Sequence, residues 1–278
     1  MAETQAKFEG LLQRVRSALI LLPFVIAPVI FGGWSFTLLL AITGFLMARE
    51  WVNLLAAPKN EGMGLGIAVV MILGLGLLVN PIEAIAVLIV ASLVYAAFCL
   101  AVGKRTAPFV GGLYYVALPL VAAQFLRLDP LGMFVIGYIL LSVWAVDIFA
   151  MFSGKLIGGP KLAPIISPKK TWAGLFGGMV GAVLAGVLSF LTVVGFGFGE
   201  MHFAAIIIIA PLLAICAQAA DLFESAIKRR FDVKDSGAII PGHGGLLDRV
   251  DGLIGVLIVA LMIVVWRGGA SSTALWIW

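Results

Sequence analysis

A chain of 278 residues that is 63% hydrophobic and only 12% charged, with a mean hydropathy of +1.17, departs from the roughly half apolar, quarter charged make-up of soluble domains and falls in the membrane class. The formal charge of +4 is modest, so its distribution carries more information than its sum, and no nucleic-acid partner is expected. Cys99 and Cys216 both lie inside apolar runs, which argues against a disulfide framework or a thiolate metal site.

A helix needs roughly 20 residues to cross about 30 Å of hydrocarbon. Candidate spans in chain order cover about residues 17–31, 34–49, 63–79, 82–102, 108–126, 130–152, 172–194, 203–226 and 250–267. The first is read as an anchor that stays, because "PFVIAPVIFGGW" is a poor cleavage site. Gly32 and Gly33 divide it from the second span, as a tight helical hairpin or one kinked span. Glycine and proline inside the runs are tolerated in membrane helices.

Loop charge fixes the orientation. With the N-terminus cytoplasmic and nine spans, only Arg127 and Arg267 of the 18 basic residues fall on the far side, the asymmetry of the positive-inside rule. The expected fold is an all-α polytopic integral membrane protein with its C-terminus on the opposite face. It forms a single domain over 1–278, with an N-terminal helical part (1–103) and a catalytic helical part (104–278) carrying cytoplasmic-side loops 153–172 and 227–249.

Three polar clusters interrupt this apolar background. The first, residues 143–174, holds Asp147 near the end of the sixth span, then Lys155, Lys161 and "SPKKT". Thr171 is expected to cap the seventh helix, which places Lys169 and Lys170 just ahead of a helix N-terminus, where free N–H groups and the dipole attract phosphate. Interfacial lysines that only anchor to lipid headgroups are the alternative. The second cluster is "AADLFESAIKRRF" at 219–231. There Asp221, Glu224, Ser225 and Lys228 share one helix face by their i, i+3, i+4, i+7 spacing. This is either a salt-bridged helix end or a hard-cation ligand, Asp221, with Lys228 contacting phosphate. The third is "KDSGAIIPGHGGLLDRVDG" at 234–252. Asp248 and Asp251, beside Lys234, His243 and Arg249, suit Mg²⁺, which takes oxygen ligands and shares them with substrate phosphates. Gly242, Gly244 and Gly245 let the backbone approach a ligand closely. His243 alone fits a surface or structural role as well as a ligand contact.

"SAIKRRFDVKDSGAIIPGHGGLLDRVD", Ser225–Asp251, resembles the signature of the phosphatidate cytidylyltransferases, also called CDP-diacylglycerol synthases. The matching positions are Ser225, Lys228, Arg229, Lys234, Asp235, Ser236, Gly237, Pro241, Gly242, His243, Gly244, Gly245, Asp248, Arg249 and Asp251. "KLAPIISPKKTWAG" resembles the lysine loop of that family, and "QRVRSALILLPFV" with "REWVNL" resembles its N-terminal portion more loosely. Ile148, Phe149, Ala150 and Met151 follow Asp147 where the family commonly has small residues and then Ala-Tyr, and Ala220 stands where glycine usually precedes the aspartate.

The resemblance implies a dimeric integral-membrane enzyme, in a bacterial inner membrane with its active site on the cytoplasmic side. It would make CDP-diacylglycerol and pyrophosphate from CTP and phosphatidic acid, and depend on Mg²⁺. Carboxylates at Asp221 and Asp248 would hold a two-cation centre, with K⁺ as the candidate second ion, Asp251 close by or structural, and Asp147 in the same ligand set. Such chemistry brings two polyanions together, and cations with Lys/Arg clamps neutralise and align the reacting oxygens. The expected phosphate contacts are Lys169, Lys170, Lys228 and Arg249, with Arg229 and Lys234 counted among the substrate-binding residues. Ser167, Ser225 and the 242–245 loop would shape the nucleotide site. A transporter is the rival from another class, but the charges gather at one face rather than the midplane. "DRVDG" superficially suggests the CDP-alcohol phosphotransferases, whose following Ala-Arg pair and further aspartates are absent here.

Overall fold

The computed structural model describes residues 19–55, 59–78, 81–101, 103, 106–129, 131–197, 202–239, 244–268 and 272–275. Its helices are α1 (Leu19–Phe31), α2 (Gly33–Leu54), α3 (Lys59–Leu78), α4 (Pro81–Ala101), α5 (Thr106–Arg127), α6 (Gly132–Leu156), α7 (Trp172–Gly195), α8 (Phe203–Arg230) and α9 (Leu247–Trp266). A 3₁₀ turn, Ser272–Leu275, follows. Among the described residues, six of these helices, α2 and α5 to α9, are long and apolar enough to cross a membrane.

The helices follow the apolar runs. The break between α1 and α2 falls at the expected glycines, Gly32 and Gly33, both with positive φ (66° and 54°). Pro119 and Pro211 sit inside α5 and α8, as membrane helices tolerate. Two helices outrun their apolar stretches. α2 continues through Glu50 to Leu54, and α8 continues through the charged stripe to Arg230.

The helical architecture is as expected, with one small addition among the described residues. The loop after α6 contains a small antiparallel hairpin, β1 (Lys161–Ala163) with β2 (Ser167–Thr171), paired Lys161 to Thr171 and Ala163 to Ser167. Gly158 and Gly159, both at positive φ (68° and 89°), lead the chain out of α6, a conformation that suits glycine. Strands of three and five residues are too short to print a two-residue hydrophobic period, so the hairpin leaves no such pattern in the sequence.

The chain divides into two compact units, each drawn from two stretches. One comprises Met1–Ala117 with Phe231–Val250, the other Leu118–Arg230 with Asp251–Trp278. In the first unit α2 packs on α3, and α3 on α4. Trp51 fastens α2 to α5, its indole N–H donating to the Pro108 carbonyl at 3.0 Å and its ring lying 5.0 Å from that of Tyr115. In the second unit α7 packs on α6 and α8. The buried face of α7 carries Gly174, Gly178, Gly181, Ala182, Ala185 and Gly186. Such a small-residue face lets helix backbones approach closely where lipid removes the ordinary hydrophobic drive to associate.

Candidate active site

The second unit holds a cavity of about 510 Å³ at the end of α6. Its charged lining is Asp147 and Lys155 from α6, Lys161, Lys169 and Lys170 from the hairpin, and Asp221 from α8; Gln218, Thr171 and Gly174 also border it. The hairpin is what brings its lysines over the helix ends. Thr171 acts as the expected N-cap: its backbone is extended (φ −126°, ψ 158°) and its hydroxyl accepts from the Gly174 N–H at 3.0 Å. The strand therefore runs straight into α7, and Lys169 and Lys170 stand immediately before that helix. Loss of a Thr cap costs about 1 kcal/mol. Thr171→Ala is expected to lower the thermal unfolding midpoint of the detergent-solubilised protein, with Thr171→Ser close to wild type.

The α8 stripe forms as the spacing predicted, and each member has a partner. Lys170 forms an ion pair with Asp221 and reaches the Gln218 carbonyl at 3.5 Å. The Ser225 hydroxyl donates to Asp221 Oδ1 at 3.3 Å. One turn on, Lys228 pairs with Glu224 at 3.1 Å, and both side chains are buried. Lys228 is thus held by a neighbouring carboxylate, and a phosphate contact from it would require that pair to open. Lys228, Arg229 and Arg230 occupy the last turn of α8, where cations complement the helix dipole. Arg229 is exposed. Ser167 lies at the start of β2 opposite Ala163.

Asp251 lies close enough to Asp221, Glu224 and Asp147 to interact with their charges, and its own Oδ1 accepts the Gly252 N–H at 2.8 Å. Of these carboxylates, Asp221 and Glu224 pair with Lys170 and Lys228. Their donors are oxygens alone, the chemistry that suits a hard cation such as Mg²⁺. Among the described residues, no three His, Cys, Asp or Glu side chains already converge as a metal-ligand group.

The remaining signature residues belong to the first unit. Asp248 Oδ2 accepts the N–H groups of Ser236 at 2.9 Å and Gly245 at 3.0 Å. It thereby pins residues twelve and three positions upstream. Gly244 has φ +87°, and a Cβ on Gly245 would collide with the Ser236 side chain. Lys234 and Arg249 are exposed. Gly242 and His243 lie outside the described residues. Sequence reasoning missed Glu50 of α2. It is buried, and its carboxylate accepts the N–H groups of Leu246 at 2.9 Å and Leu247 at 2.8 Å and the Ser236 hydroxyl at 3.4 Å. The signal was present: an acid inside an apolar helix needs a partner.

The chain is similar to known proteins over most of its length. Residues 12–266 match the model of the cytidylyltransferase family. A phosphatidate cytidylyltransferase of Brucella abortus biovar 1 (strain 9-941) is 39% identical over 230 residues, covering 80% of this chain and 82% of the relative. One from Rickettsia bellii (strain RML369-C) is 46% identical over 147 residues, 51% of this chain and 63% of the relative. One from Rickettsia prowazekii (strain Madrid E) is 45% identical over 146 residues, 51% of this chain and 64% of the relative. With a family match that runs from before α1 to the last residue of α9, and relatives aligned over most of its length, the chain belongs to the cytidylyltransferase family.

Proposed function

We propose that the protein is a phosphatidate cytidylyltransferase, transferring CMP from CTP to phosphatidic acid to give CDP-diacylglycerol and pyrophosphate. The observation that carries this reading is the similarity to phosphatidate cytidylyltransferases over 80% of the chain. The lysine-lined cavity of the second unit supports it, since a triphosphate needs convergent positive charge.

In this reading an oxygen of the phosphatidic acid phosphate attacks the α-phosphorus of CTP. The bond from that phosphorus to the bridging oxygen breaks, and pyrophosphate departs with the electron pair. The nucleophile is already an anion near neutral pH, so the protein's task is to align it and neutralise charge rather than to remove a proton. Lys169 and Lys170 offer donors to the nucleotide phosphates at the N-terminus of α7, whose N–H groups favour anions. Lys155 and Lys161 extend the positive lining. Arg229, Lys234 and Arg249 are further phosphate contacts expected from the signature, with Ser167 and Ser225 shaping the nucleotide pocket. Lys170 has a second role: its pair with Asp221 keeps that carboxylate neutralised until substrate phosphates compete for the ammonium.

Asp221, Asp251 and Asp147 are the proposed Mg²⁺ ligands of the second unit; Asp248, and K⁺ as second ion, enter on the sequence resemblance. Mg²⁺, when bound, supplies charge neutralisation of the phosphate oxygens. The nine-span topology with a cytoplasmic N-terminus, an inner-membrane location, entry of the lipid headgroup from the inner leaflet and a homodimer are part of the same proposal.

The purified full chain in detergent, given CTP, phosphatidic acid and Mg²⁺, is expected to release pyrophosphate. EDTA, or omission of phosphatidic acid, should abolish release. Undiminished release without the lipid would identify a nucleotide hydrolase instead, and no release under any lipid condition would refute the assignment.

A further inference from the structure

Glu50 is a carboxylate with almost no exposure, 1%, near the C-terminal end of the apolar helix α2. Burying an ionised carboxylate costs several kcal/mol unless its lone pairs are satisfied. Here they are satisfied by Ser236 in the segment before α9 and by the start of α9 itself. Oε1 accepts the Leu246 N–H, and Oε2 accepts the Leu247 N–H and the Ser236 hydroxyl. The first two donors belong to the start of α9, whose N–H groups have no partner within the helix and carry the positive end of its dipole. Glu50 thus caps α9 from a helix nearly two hundred residues away in the chain.

The fit is close. A Cβ on Gly237 would meet Glu50 Oε1 at 2.5 Å, so glycine at 237 lets the loop close over the carboxylate. Ser236 is the shared point: its hydroxyl donates to Glu50 while its N–H donates to Asp248. Asp248 also takes the Gly245 N–H. Two carboxylates therefore clamp one loop, and the position of Asp248 depends on the backbone that Glu50 holds. Glu50 and every contact named belong to one compact unit.

We infer that Glu50 is a positioning residue for the signature loop, setting Asp248 through the backbone of Ser236, Leu246 and Leu247. This rests on the cytidylyltransferase reading for its catalytic consequence, but the clamp itself does not. Glutamine at 50 keeps one carbonyl oxygen and turns an amide NH₂ toward a second N–H donor, so the clamp is half lost. Aspartate keeps both oxygens on a shorter stem and should restore part of the effect.

The test uses the full chain in detergent as wild type, Glu50→Gln and Glu50→Asp, with two readouts. Amide hydrogen exchange reports the clamp without any turnover. Glu50→Gln is expected to speed exchange at Leu246 and Leu247 by about tenfold or more, with α6 and α7 unchanged. Activity with CTP and phosphatidic acid reports the consequence. Loss of a partner that orients a ligand typically costs 10- to 100-fold in metal affinity or activity, so the Mg²⁺ concentration for half-maximal rate should rise about tenfold, with Glu50→Asp between. A merely destabilised protein would show a smaller active fraction at an unchanged Mg²⁺ requirement, and that result overturns the positioning role. Unchanged exchange at Leu246 and Leu247 overturns the clamp. An inactive wild type would sink the cytidylyltransferase reading alone, leaving the exchange result to decide on Glu50.

Discussion

Asp221→Asn is expected to lower turnover by about three orders of magnitude while the protein still accumulates in the membrane. Asparagine keeps the size of the side chain and an oxygen to accept the Ser225 hydroxyl, which lies 3.3 Å from Asp221 Oδ1. What it removes is the negative charge that pairs with Lys170 and that is proposed to bind the cation. Asp248→Asn should behave alike for the same reason. Its amide oxygen can still accept the Ser236 and Gly245 N–H groups that Oδ2 now takes, so the loop stays folded and only the proposed cation ligand is lost. Both variants are read by pyrophosphate release against protein quantified in the membrane fraction. Near-normal turnover in either would remove that residue from the cation centre. Lys170→Ala differs in kind. It should raise the CTP concentration needed for half-maximal rate more than it lowers the maximal rate, since the ammonium is proposed to bind nucleotide phosphate.

The second large effect is on stability. Lys228 and Glu224 form a buried pair at 3.1 Å, their side chains 10% and 1% exposed. Removing one partner of such a pair costs about 3–5 kcal/mol, because the other charge stays behind buried. Lys228→Ala should therefore lower the thermal unfolding midpoint in detergent by several degrees or prevent accumulation. Combining Lys228→Met with Glu224→Gln should recover most of the loss, since neither charge then needs a partner. If Lys228→Ala unfolds like wild type but needs far more CTP, the residue is a phosphate ligand and the buried pair contributes little.

The contrast between Lys170 and Thr171 shows what was legible beforehand. Thr171 was readable as a cap because capping is local: a hydroxyl before an apolar helical run satisfies an N–H three residues on. The Asp221–Ser225 contact was readable for the same reason, as one turn of one helix. The long apolar helices were readable because lipid admits only such helices or closed barrels; among the described residues six of them are long enough to cross a membrane. The hairpin at 161–171 was not, since its strands are too short for a pattern and its folding is set by where α6 ends and α7 begins. The partners of Lys170 and Glu50 were not legible either. Lys170 meets Asp221 some fifty residues on, and Glu50 meets the signature loop nearly two hundred residues on. Such pairings are tertiary, and a single sequence states only that each buried charge must have one. Glu50 was the clearer omission, because an acid inside an apolar helix already signals a partner.

In the proposed reaction phosphatidic acid attacks the α-phosphorus of CTP and joins it to the lipid. This reaction is tested most directly by supplying CTP radiolabelled either at the α- or at the γ-phosphate, with phosphatidic acid and Mg²⁺, and counting the chloroform-extractable lipid. The expected result is α-label in the lipid and γ-label only in water-soluble pyrophosphate. Label from the γ-phosphate in the lipid, or no label from either, would contradict it.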